Sequence, residues 1–113
     1  MMARVMHNVV AITAERNFKK EVKNLCTPIP AADFEQMAVQ NVSIAALMKQ
    51  TGHRFPEYKP NPWVNYLMGL SDQYMIQLLE KDLPNHVGVL RRHPVFCKTF
   101  IQDLKRLAGE AQK

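Results

Sequence analysis

Apolar residues recur at intervals of three and four along most of this chain, and seven prolines cut that pattern into segments. Such a repeat places side chains on one face of an α-helix, whereas a half-buried strand needs strict alternation. No segment alternates apolar and polar residues between hairpin turn signals, so a sheet has no support. The pattern predicts an all-α fold. At 113 residues the chain fits a single compact domain spanning 1–113, with about five or six helices and dimerisation left open.

A first helix is predicted over 3–25, because Val10, Ala14, Phe18, Val22 and Leu25 share one face. Pro28 and Pro30, after Thr27, stop it, since proline has no amide donor and disfavours helix in the residue before it. From 31 to 50 the chain lacks glycine and proline. Phe34, Met37, Ala38, Val42, Ala45 and Met48 keep helical spacing there, which predicts one second helix. Gly52 suits a left-handed helix end. With Pro56, Pro60 and Pro62 following, 53–61 is expected to be a proline-rich loop suited to a hinge or recognition segment.

Asn61 before Pro62 has the pattern of a cap and a first helical position, and Trp63, Tyr66, Leu67 and Leu70 continue as a short apolar helix. Ser71 and Asp72 restart the chain with Met75, Leu78 and Leu79 facing inward, and 80–84 ends that helix. Because it contains Gly88, 85–92 is expected to be no more than a helical turn. A last helix starts near Pro94 and carries Phe96, Phe100, Leu104 and Leu107 on one face.

Fifteen Lys and Arg against ten Asp and Glu give a net charge of +5, which favours contact with phosphates or acidic proteins. The charge is not spread evenly. Arg16, Lys19, Lys20 and Lys23 make a positive ridge on the first helix, to be read either as a phosphate-binding edge or as the solvated side of an amphipathic helix. A membrane-surface helix is a third reading, weakened because Phe18 belongs to the core stripe. Arg91, Arg92, Lys98, Lys105 and Arg106, with His93, form a second basic zone. Arginine holds a phosphate or a guanine edge bidentately, and short helices joined at 69–72 suggest a helix-turn-helix presentation of such residues.

Catalysis and metal binding find little support. His86, His93 and Cys97 contain zinc-ligand types, but no fourth ligand lies nearby, and Cys26 would have to come from elsewhere in the fold. No cofactor or metal is therefore expected. Neither a dinucleotide fingerprint, a P-loop nor a carboxylate pair is present; Glu80, Lys81 and Asp82 read as a solvated helix end. The two cysteines imply no disulfide framework, and no apolar run approaches the roughly 20 residues of a bilayer span, so a cytoplasmic chain without membrane contact is expected. Met37, Met48, Met68 and Met75 suit an adaptable core or a protein-binding surface. Tyr58, Trp63, Met75 and Leu79 are the candidate partner-binding residues.

NVSIAALMKQ at 41–50, LMGLSDQYMIQLLEKD at 67–82 and VLRR at 89–92 together resemble the FlhD family of bacterial transcriptional activators. The similarity covers roughly the central half of the chain and rests mainly on aliphatic helix patterns. The longer N-terminal helix and the loop around Pro56, Pro60 and Pro62 depart from that family. The resemblance implies an all-α subunit that dimerises and joins a second, FlhC-like subunit to activate transcription at promoter DNA, with any zinc in the partner and no catalytic residues here. The expected function is that of a DNA-associated regulator subunit in a homo- or hetero-oligomer. The alternative is a protein-binding adaptor, chaperone or inhibitor without nucleic-acid contact.

Overall fold

Ala14, Phe18, Val22 and Leu25 repeat at intervals of four, four and three, and all four side chains are buried, so α1 (Met2–Cys26) presents one continuous stripe to the core. The structure, a computed structural model, describes the backbone of residues 2–54 and 62–110 and the side chains of 10–54 and 65–107. Six more helices follow among the described residues: α2 (Ala31–Val39), α3 (Ile44–Thr51), α4 (Pro62–Met68), α5 (Asp72–Leu79), α6 (Pro84–Arg92) and α7 (Pro94–Glu110). No strand is present among them. The expected loop at 53–61 falls largely outside the described residues.

The single helix expected over 31–50 is two helices. α2 ends at Val39 because Asn41 takes a left-handed φ of 55°. Its amide and the next one turn back, Asn41 N to Ala38 O at 3.0 Å and Val42 N to Met37 O at 3.0 Å, which closes a Schellman motif. Ser43 then caps α3, its side chain accepting from the Ala46 amide at 3.2 Å, a bond that contributes about 1 kcal/mol. Restarting the helix shifts its phase. Ile44 and Leu47 therefore face the core, and Ala45, expected inward, is exposed. The chain restarts at 71–72 as expected, with Ser71 capping α5 by accepting from the Tyr74 amide at 3.1 Å.

The segment at 85–92, expected to be only a turn, is a nine-residue helix. Pro84 at its first turn loses no hydrogen bond there, and Val87, Val89 and Leu90 are buried, so packing outweighs the unfavourable Gly88. α1 packs on α3, α4 and α5; α2 packs on α6; and α7 touches α3, α4, α5 and α6. Where these layers meet stands Phe34, fully buried, with ring centroids 5.6 Å from Phe96, 5.8 Å from Phe100 and 5.1 Å from His86. Among the described residues no polar or charged side chain is fully buried.

Candidate nucleic-acid interface

The unbroken α1 helix fixes the geometry of the first basic ridge. Arg16, Lys20 and Lys23 stand at i, i+4 and i+7 and form a row rising roughly 10 Å along the axis. All three are exposed, and among the described residues no carboxylate pairs with them. Lys19 stands beside the row, its Nζ 3.7 Å from Asp82 Oδ2. Between the row and α5 runs an open groove of about 500 Å³ that also takes in Glu15 and Asp82, with Ile12 and Leu78 as its aliphatic part.

Both acids in this groove are already engaged. Asp82 faces Lys19, and Glu15 Oε2 accepts from Tyr66 Oη at 2.5 Å and from Tyr74 Oη at 3.1 Å. The Glu15 hydrogen bond, with desolvation and the carboxylate charge behind it, pushes the Tyr66 hydroxyl up to about 12; the same bond raises Tyr74. Because the native state prefers the protonated phenol, this stabilisation is fully present below the unfolded value near 10 and is lost as pH rises from about 10 through about 12. Ultraviolet titration of phenolate should show late-ionising tyrosine that disappears when Tyr66→Phe and Tyr74→Phe are combined. If all three tyrosines ionised together near pH 10, the shared carboxylate would be wrong.

The second basic zone does not assemble as one patch. Arg91 reaches Glu80 at 3.2 Å and opens onto a groove with Cys97 and Asp72. Arg92, the next residue, points to a different groove and binds Glu35 through Nε at 3.0 Å and Nη2 at 3.2 Å, where His93 Nε2 also lies 3.1 Å away. Arg92 first, then His93, holds the Glu35 carboxyl below the usual carboxylate range. Lys105 donates to the Leu70 carbonyl at 2.6 Å, near Asp72, and so ties α7 to the end of α4. Arg106 lies 3.6 Å from Asp103, and Lys98 is exposed. The break at 69–71 joins α4 and α5, neither of which carries a Lys or Arg, so the suggested helix-turn-helix does not present these cations.

Of the partner-binding candidates, Met75 and Leu79 are each 1% exposed and belong to this chain's interior, so any partner surface must be built from other residues. Tyr58 and the side chain of Trp63 lie outside the described residues. Val39 and Val95, which the sequence did not single out, are 65% and 74% exposed and line a groove of about 430 Å³ beside Arg92.

His86 is occupied structurally, with Nε2 2.7 Å from the Ile29 carbonyl and its ring against Phe34. Burial pushes the Cys26 thiol up to about 12 and also raises Cys97, which leaves both poor in reactive thiolate. Among the described residues no three His, Cys, Asp or Glu side chains gather where a metal could be held. No helix among them is long and apolar enough to cross a membrane. Comparison with protein families, curated proteins and solved structures gave no match.

Proposed function

We propose that this chain is a non-catalytic, cytoplasmic subunit of a DNA-associated transcriptional regulator, working in an oligomer with copies of itself or with a second subunit, as the FlhD-like pattern implies. The observation that carries the proposal is the row of Arg16, Lys20 and Lys23, exposed and facing no carboxylate partner among the described residues. Lysine is depleted at protein–protein interfaces, whereas a line of cations fits the regular charge of a phosphate backbone. Contacts of this kind fix position and carry no sequence information, so base-specific readout falls to the partner or to other residues.

Fluorescence anisotropy with a labelled duplex, titrated across salt, tests the proposal. The three contacts of this row by themselves contribute about −2.7 to the log–log slope, which is about a 40-fold loss of affinity between about 50 and about 200 mM salt. Absence of binding at the lowest salt, with or without a partner subunit, would rule it out. A protein-only adaptor is the second reading. What favours it is the pair of exposed valines, Val39 and Val95, beside Arg92.

A further inference from the structure

Glu15 and Lys19 are four residues apart on α1, in the order that best favours a helical ion pair. Yet no such pair forms. Glu15 Oε2 is taken instead by two hydroxyls that reach it from other helices, Tyr66 on α4 and Tyr74 on α5. Lys19 is left with the looser 3.7 Å contact to Asp82, and the neighbouring row of Arg16, Lys20 and Lys23 meets no carboxylate partner among the described residues. Four cations thus line a groove in which one of the two carboxylates, Glu15, is held by phenols.

From this geometry we infer that the α1–α5 groove is a phosphodiester-backbone site, and that Tyr66 and Tyr74 are positioning residues that latch Glu15 away from Lys19 so that the Lys19 ammonium stays available to the ligand. The inference rests on the phosphate-contact reading given above and adds the ligand class of the groove and a device that tunes it. An arriving phosphate displaces Asp82 from Lys19 readily, because an exposed ion pair at this distance contributes little. A Glu15 side chain freed from its phenols would compete for the same ammonium at short range, and one cation would be lost to the ligand.

The test is anisotropy with a labelled oligothymidylate and with a labelled duplex of equal length, using wild type, E15Q, the double variant Tyr66→Phe/Tyr74→Phe, and the triple variant combining all three changes. The double variant should bind several-fold more weakly, with a salt slope shallower by about 0.7 on the single strand and about 0.9 on the duplex. E15Q should bind at least as tightly as wild type, and the phenylalanines should have no further effect in its background, which is the signature of coupling through Glu15. Circular dichroism melts accompany each variant. If the double variant does not fold, Tyr74→Phe alone, at a surface position, supplies the same comparison with and without E15Q. Equal losses in both backgrounds, or none in either, would overturn the latch while leaving the phosphate site standing. Wild type that binds neither oligonucleotide, or binds only a polyglutamate peptide, would overturn both.

Discussion

Replacing Phe34 with alanine is expected to cost about 3–5 kcal/mol, the range for removing a buried aromatic ring from a core that cannot close over the space. The ring is fully buried and touches two helices far along the chain, through Phe96 and Phe100 on α7 and His86 on α6. Its removal deletes edge-to-face contacts worth about 0.5–1.5 kcal/mol each as well as the buried area. Domains of this size are stable by only about 5–15 kcal/mol, so a large share of the folded state's margin goes. Urea denaturation followed by circular dichroism should show the midpoint fall sharply. Val95→Ala, at a position 74% exposed, is the control and should stay within about 0.5 kcal/mol of wild type. A loss below about 1 kcal/mol for Phe34→Ala would mean that the ring is not where these helices meet.

Changing Arg16, Lys20 and Lys23 together to glutamine should abolish most of the salt-dependent part of DNA binding. Glutamine is a good helix former, so α1 should persist and the melt should barely move. Removing three phosphate contacts makes the salt slope shallower by about 2.7. Near 0.1 M salt this corresponds to a several-hundred-fold loss of affinity, taking about 1 M as the point where counter-ion release stops contributing. The loss should be the same for unrelated DNA sequences, because phosphate contacts do not read bases. Arg91→Gln with Arg106→Gln is the informative comparison, since both arginines stand close to carboxylates. If that pair weakened binding as much as the α1 triple variant, the interface would lie on α6 and α7 instead.

The parts of the fold legible in the sequence are those whose apolar period runs unbroken. The stripe of α1 and the phenylalanines of α7 fall in place because each repeats over several turns without a reset. The split between α2 and α3 was hidden, since neither glycine nor proline marks it. Its signal was chemical: an asparagine that tolerates left-handed geometry, followed two residues later by a serine able to cap. At α6 the low helix propensity of Gly88 is outweighed by three buried aliphatic neighbours, whose burial depends on residues distant in sequence.

The candidate site divides the same way. A row of cations at helical spacing is visible in the sequence, and α1 displays it. What happens to each charge is not visible, because its partners come from distant segments. Arg92 meets Glu35 from 57 residues away, and the two tyrosines reach Glu15 from 51 and 59 residues away. A basic stretch in the C-terminal third therefore reads as one zone in the sequence, whereas the fold turns Arg91 and Arg92 to different grooves.

The placement of α7 constrains how this molecule is made. Phe96, Phe100, Ile101 and Leu104 are the side chains against which the earlier helices close, and α7 alone supplies them. While translation is still short of that segment, Phe34 has neither aromatic neighbour, and the facing residues of α3, α4 and α5 have lost a wall of their enclosure. A nascent chain in that condition exposes apolar surface until α7 has been extruded, which makes it a natural client for chaperones that shield emerging polypeptides.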